Sequence, residues 1–386
     1  MRPGESKQVF TVDQSELRKR YATIGRAIAT AVVSRPEGFD FDGWQRLRDE
    51  GLWELIVPTG KNAVADWWAF TAALEGLAST ICTPELLLSV IAQAGMVRAL
   101  ERYGSPDQKE RYNRAILRGD VSATCIAERT TGTDVRSIDT SLTKTDRGYR
   151  LSGSKYNIAH APIMDFAIVV CRLQGAERSN VTLVLLDRGM PGMACGQIDD
   201  KLGNRNLPTG ELHFREVEVL PTQVLGQPGK GLSALIDIIS LGRLYYGLAA
   251  ANLLTPHLND ALNYAATRSS FGESIDTHQY VQKRLVDMRI GMERSRWLAY
   301  GALSQLLTGQ PEAWMMCSIA KIVGADDLIS SATSLVKLYG SLGYHNGRIA
   351  ELMKNALGFA SVGGTEEMHR KNIFNQLQRL AGAATR

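Results

Sequence analysis

Phe166-Ala-Ile-Val-Val170 and Val181-Thr-Leu-Val-Leu-Leu186 are two short, unbroken apolar runs. Turn residues, Gly and Asp among them, separate such runs between about Asp120 and Pro221, and that pattern reads as strands. Leu212 and Phe214 alternate with Glu211, His213 and Arg215, as a strand with one wet face requires. A β segment therefore occupies the middle of the chain.

On either side of it the apolar period is helical. From about Gln14 to Arg118, Trp44, Leu47, Gly51 and Leu52 approximate one helix face, with Gly51 where a helix would end. Val57-Pro-Thr-Gly60 predicts a turn before a helical run over Ala65 to Leu77. After Gly229-Lys-Gly231 the helical period returns and lasts to the end, with Leu285, Met288 and Met292 on one stripe and Ile319, Ile322 and Val323 on another. Pro256 is expected to break the first of these runs. The prediction is an α+β, mostly α chain: a helical domain over 1–119, a β domain over 120–228 and a helical bundle over 229–386.

Composition supports a folded, multi-domain protein. In 386 residues, 44% are hydrophobic and only 12 are Pro, which excludes disordered, collagen-like and disulfide-scaffold classes. The 44 Lys+Arg against 40 Asp+Glu give +4, spread without a block of like charge, so neither nucleic acid nor a membrane surface is an expected partner. The five Cys are scattered and form no CxxC pair. Met1 to Arg20 lacks an apolar leader core, and no uncharged apolar stretch of about 18 residues is visible, so the expected location is cytoplasmic, with Asn180-Val-Thr182 unglycosylated.

Several suggestive motifs fail on their chemistry. Gly226-Gln-Pro-Gly-Lys-Gly231 has Gly after its Lys and the wrong spacing for a phosphate loop, so it predicts a helix-start turn. Ser152-Gly-Ser-Lys155 and Ser318-Ile-Ala-Lys321 match SxxK without its SDN and KTG partners. The six His form no HxxxH or HExxH pair, so no metal is expected, and no GxGxxG opens a helix after a strand.

Four segments combine Gly turns with polar side chains: Cys125-Ile-Ala-Glu-Arg-Thr-Thr-Gly-Thr-Asp134, Gly153-Ser-Lys-Tyr-Asn-Ile-Ala-His-Ala161, Arg268-Ser-Ser-Phe-Gly272 and Gly363-Gly-Thr-Glu-Glu-Met-His-Arg370. With Arg243, His278-Gln279 and Tyr339-Gly-Ser-Leu-Gly-Tyr344 in this order, the chain resembles the acyl-CoA dehydrogenase family of FAD flavoproteins. The resemblance implies a helical domain, a middle β-barrel and a C-terminal four-helix bundle. It implies FAD held between the β domain, the bundle and a neighbouring subunit, in a homodimer or homotetramer. The flavin ring would meet Thr124, Ile126, Ala127, Asn157 and Ala159, and Thr133 would reach the pyrophosphate. Arg268, Phe271 and Gln279 would grip the adenosine and pyrophosphate, with Lys337, Gly340, Thr365 and Glu367 near the cofactor. The implied substrate is an acyl thioester on CoA or an acyl carrier protein, oxidised at Cα–Cβ, with a flavoprotein or oxygen as electron acceptor.

The family places a base, glutamate, immediately before the Gly-Thr turn or immediately before the bundle arginine. Here those positions are Gly363 and Gly242. Asn157, Ala159 and Arg129 also depart from the family pattern. His160, Tyr246 and Glu366 are the candidates to stand in as base, with Arg243 near the thioester, since a histidine titrates near neutrality. The missing glutamates also admit a flavin monooxygenase, which needs no α-proton base there, or a flavin-binding homologue without catalysis.

Overall fold

The computed structural model describes residues 10–32, 38–59, 64–81, 84–132, 134–135, 137–176 and 180–384. Thr133, Cys82 and Gly60 lie outside them. Five helices come first: α1 (Val12–Val32), α2 (Phe41–Asp49), α3 (Trp67–Ala78), α4 (Glu85–Tyr103) and α5 (Pro106–Arg118). Local chemistry sets their ends. Asp40 and Asp66 cap α2 and α3 by accepting backbone N–H groups, Ser105 and Gln108 cap α5 reciprocally with Pro106 at its first turn, and Gly119 closes α5 at φ 93°.

Eight strands follow: β1 (Ser122–Cys125), β2 (Ser141–Thr145), β3 (Gly148–Ala159), β4 (Phe166–Leu173), β5 (Val181–Asp187), β6 (Met193–Ile198), β7 (Thr209–Val219) and β8 (Val224–Leu225). They form one sheet in the order β6-β7-β3-β2-β4-β5-β8, with β1 beside β4. The β1–β4 and β2–β4 pairs are parallel and the others antiparallel. Among the described residues no ladder joins the edges β6 and β8.

The two opening runs owe their unbroken apolarity to burial on both faces. In β4, Ala167, Val169 and Cys171 point into the core enclosed by the sheet, while Phe166, Ile168 and Val170 join the helical core. In β5, Val184 and Leu186 face the first core, and Val181, Leu183 and Leu185 the second. A strand covered on both sides loses the polar alternation of a half-wet one. Leu212 and Phe214 of β7 do alternate with more exposed neighbours.

The C-terminal part holds α6 (Gly231–Thr267), the hairpin β9–β10 (Ser269–Ser270, Glu273–Ser274), α7 (Gln279–Leu307), α8 (Ala313–Tyr339), the short α9 (Ser341–Tyr344), α10 (Arg348–Gly358) and α11 (Glu366–Ala384). The long helices α6, α7 and α8 pack on one another, and α11 on α8. Gly247 and Gly324 let α6 and α8 touch backbone to backbone.

Two expectations are corrected here. Pro256 does not break α6, which runs through it for 37 residues. Proline removes one helical donor, but the apolar residues around it, Leu253, Leu254 and Leu258, are buried in the bundle and offset the loss. The same helix is also long and apolar enough to cross a membrane, contrary to the reading of the sequence. Most of that apolar surface is buried inside the protein, as in a soluble bundle's core helix.

Candidate active site

The flavin-facing residues expected from the sequence come together. Thr124 lies in β1, Ile126 and Ala127 follow it, and Asn157 and Ala159 lie near the end of β3. The Tyr156 N–H donates to the Ala127 carbonyl at 2.9 Å. The Lys155 ammonium donates to the Ile126 carbonyl at 3.0 Å and to Glu128 at 2.7 Å. Glu128 in turn accepts the Asp139 and Thr140 N–H groups at 2.6 and 3.0 Å. This pair is sealed, with side chains 0% and 4% exposed. Burial alone would raise the Glu128 carboxyl, but these donors outweigh it and hold it below its ordinary range. Asn157 sits at φ 53°, exposed, where the β3–β7 register shifts between Lys155 and Ile158. The bulge takes the 156–157 backbone out of the ladder, beside the β1 tail.

The adenosine-side residues lie elsewhere. Arg268 follows α6, Phe271 is the tip of the β9–β10 hairpin at φ 56° and 97% exposed, and Gln279 opens α7. All three face outward, and no hydrogen bond joins them to the Thr124 or Asn157 segments among the described residues. Lys337 and Gly340 are exposed at the end of α8. Thr365 caps α11 by accepting the Met368 N–H at 3.4 Å. Glu367 is exposed, its carboxyl held below the ordinary range by the helix-start backbone and the Thr365 hydroxyl.

His160 is a buried structural residue. Its Nδ1–H donates to the Ser122 carbonyl at 2.8 Å, which leaves Nε2 to accept from the Ser89 hydroxyl at 2.8 Å. With both nitrogens engaged and 0% exposure, burial pushes its pKa down to about 4. Glu366 is likewise engaged, bound to Arg370 one turn along α11. Neither is placed as a base.

Tyr246 is placed differently. A Cβ built on Gly242 would meet the Tyr246 ring at 3.6 Å, and one on Gly363 would meet it at 2.9 Å. The ring therefore stands between the two positions where the family carries its glutamate. Gly363 adopts φ 71°, a conformation that suits glycine and disfavours other residues. The Tyr246 hydroxyl has no partner among the described residues, and burial raises its pKa to about 12. At neutral pH it is a donor.

Arg243, one turn before Tyr246 on α6, is only 4% exposed. Its Nε donates to the Gly363 carbonyl at 3.2 Å and its Nη2 reaches the Met368 sulfur at 3.6 Å. Burial lowers its pKa to about 10. Helix α4 walls both regions: Ser89 bonds His160, Ile91 lies against Gly242, and Gln93 accepts the Ser122 N–H at 3.0 Å. The glycine site and the flavin-facing strands thus share one rigid helix.

Two basic residues at this turn escape a sequence reading. Lys321, dismissed with its SxxK motif, is buried and donates to the Ala360 and Gly364 carbonyls at 3.0 and 2.7 Å. Burial lowers its pKa to about 8. His369 is fully buried beside the Gly363-Gly364 backbone, and burial, with Arg243 and Lys321, lowers its pKa to about 3 against the opposing pull of that backbone. The only early sign was a charged residue on an otherwise apolar face of α8. Among the described residues no cluster of His, Cys, Asp and Glu could hold a metal.

Three family models match in sequence: the acyl-CoA dehydrogenase N-terminal domain over 13–120, the middle domain over 123–217 and the C-terminal domain over 229–378. The chain is 30% identical over 343 residues to the mitochondrial isovaleryl-CoA dehydrogenase of Oryza sativa subsp. japonica, covering 88% of this chain and 83% of that protein. Butyryl-CoA dehydrogenase from Megasphaera elsdenii superposes with a TM-score of 0.86 at 26% identity, over 98% of this chain and 99% of that one. The FAD complex of PigA shares the fold, with a TM-score of 0.89 at 21% identity over 96% and 98% of the two chains.

Proposed function

The chain belongs to the acyl-CoA dehydrogenase family, and from that premise we propose that it oxidises the Cα–Cβ bond of an acyl thioester borne by CoA or by the pantetheine arm of a carrier protein. It is an acyl-CoA dehydrogenase-like flavoenzyme with FAD as cofactor. The observation that carries the reading is the joining of the β1 tail to β3 by the Tyr156 N–H on the Ala127 carbonyl and the Lys155 ammonium on the Ile126 carbonyl, which brings the 124–127 and 157–159 segments together beside α4 and the Arg243 site. These residues fit a flavin ring: the Asn157 bulge frees backbone, and Ala159 presents only a methyl group. When bound, FAD would supply the acceptor for the hydride that leaves Cβ, and the α-proton would pass to water, since His160 and Glu366 are engaged elsewhere.

The chain's own residues orient and polarise. Thr124, Ile126, Ala127, Asn157 and Ala159 hold the ring against β1 and β3. Arg243 and the Tyr246 hydroxyl present donors to the acyl group from α6. Arg268 offers a bidentate fork to a phosphate oxygen, and Phe271 and Gln279 an adenosine contact, from an exposed surface with no hydrogen bond to the same chain's flavin-facing segments among the described residues. That placement supports a site completed by a second copy. Exposed Val286, Ile290 and Trp297 on α7, and Phe374, Leu377 and Leu380 on α11, suit a homodimer or homotetramer. The electron acceptor is a flavoprotein or oxygen.

A flavin monooxygenase on this scaffold is the second reading. Glycines flanking Tyr246, with His160 and Glu366 engaged elsewhere, favour it because that chemistry needs no carboxylate at those positions. Substrate-dependent oxygen uptake with a supplied flavin reductase would establish it, and anaerobic bleaching of the flavin by acyl thioesters would establish the first.

A further inference from the structure

Arg243 differs from two other deeply buried cations, Lys155 and Arg98. Lys155 meets Glu128, and Arg98 meets Asp237 at 3.0 Å. Arg243 meets no carboxylate among the described residues: its Nε has one carbonyl, its Nη2 a thioether sulfur, and its Nη1 no protein acceptor. A sulfur at 3.6 Å is a weak acceptor for a guanidinium, and a buried charge without a counter-charge is costly. The residues around it add donors and positive charge. Lys321 donates to two carbonyls, His369 lies against the Gly363 and Gly364 backbone, and among the described residues the Tyr246 hydroxyl has no hydrogen-bond partner. The nearby acids Asp326, Glu366 and Glu367 act on Lys321 and favour its charged form, while none of them lies in contact with Arg243.

We propose that Arg243 and Tyr246, on the Gly242 side of the glycine turn, bind a carboxylate carried by the acyl chain of the thioester, so that the substrate is an acidic acyl group. This deepens the acyl-thioester reading and rests on it. The guanidinium fork matches a planar two-oxygen acceptor, and the phenol supplies a third donor. A Cβ on Gly242 would sit in ordinary contact with the Tyr246 ring at 3.6 Å, so the glycine leaves a methyl-sized gap beside that ring. The acid that the family supplies from the protein would here arrive on the substrate.

Matched thioesters test it. Succinyl-CoA and butyryl-CoA differ by a carboxylate for a methyl, as do glutaryl-CoA and valeryl-CoA. Affinity for the FAD-loaded protein is read by titration calorimetry, separately from flavin bleaching. The acidic member of at least one pair should bind tenfold or more tighter. Tyr246→Phe should cut that preference about threefold or more. Arg243→Gln should abolish it, and if that variant does not fold, Tyr246→Phe decides. Equal affinity within both pairs, or a preference for the neutral members, overturns the carboxylate site and leaves the thioester reading standing. Binding of none of the four overturns both.

Discussion

Lys155 and Arg243 are both cations sealed inside the protein, and they differ in what surrounds them. Lys155 has a carboxylate at 2.7 Å whose own oxygens are taken up by two backbone N–H groups, so every charge is answered within the chain. Arg243 has a carbonyl, a sulfur, a free phenol and two further basic residues. The first arrangement locks β1 to β3. The second leaves electrostatic demand for something the chain does not contain. A buried charge answered internally reads as architecture, and one left unanswered reads as a site.

The largest expected contrast comes from removing one charge in each region. Glu128→Gln strands the Lys155 ammonium and should destabilise the fold by about 3–5 kcal/mol. Arg243→Gln removes a charge that has no partner, and should cost at most about 1 kcal/mol or even stabilise. Urea unfolding of both variants measures this, and similar losses would erase the distinction.

Acid should act next. His160 and His257 are held near pKa 4 and His369 near 3, all chiefly by burial. Below pH 6.5 the unfolded chain binds protons that these folded histidines refuse, so stability falls as pH drops from 6.5 toward 4 and is flat in this respect above 6.5. For His160 alone the loss amounts to about 3 kcal/mol. Unfolding at pH 7, 5.5 and 4.5 checks the direction. An anionic ligand beside Arg243 and Lys321 would draw the His369 pKa upward, which histidine NMR titration would register.

A smaller effect belongs to cofactor affinity. Arg268→Ala should weaken FAD binding roughly tenfold, about 1.4 kcal/mol, if its guanidinium grips a phosphate across a subunit boundary. Unchanged FAD affinity would leave Arg268 a surface residue. The smallest contrast lies between the two glycines. Gly242→Ala adds a Cβ in ordinary contact and improves helix propensity, gaining about 0.5–1 kcal/mol. Gly363→Ala meets Tyr246 at 2.9 Å in a positive-φ backbone and should lose about 1–2 kcal/mol.

The fold was largely legible in the sequence because its signals are periodic. The β4 and β5 runs, the Leu212–Phe214 alternation and the helix start at Gly231 all record burial patterns that recur every few residues. Pro256 misled because its cost is local while the burial that offsets it comes from α7 and α8. The site was harder to read. His160 looked available from its place beside Ala159, but the chain turns at φ 68° there and carries the ring into the core toward Ser89. Lys155 and Glu128 are 27 residues apart and unremarkable in a chain rich in both charges. Tyr246 was visible only as one turn after Arg243, and its place between two glycines 121 positions apart needs the packing of α6 against the turn before α11.

The central claim is flavin-dependent oxidation of an acyl thioester at a site whose counter-charge comes from the substrate. Its most direct test is anaerobic addition of succinyl-CoA, butyryl-CoA, glutaryl-CoA and valeryl-CoA to the FAD-loaded protein while the flavin absorbance is followed. The account predicts bleaching by an acidic thioester at lower concentration than by its neutral counterpart. A flavin spectrum unmoved by all four, with substrate-dependent oxygen uptake once a reductase is added, would contradict it.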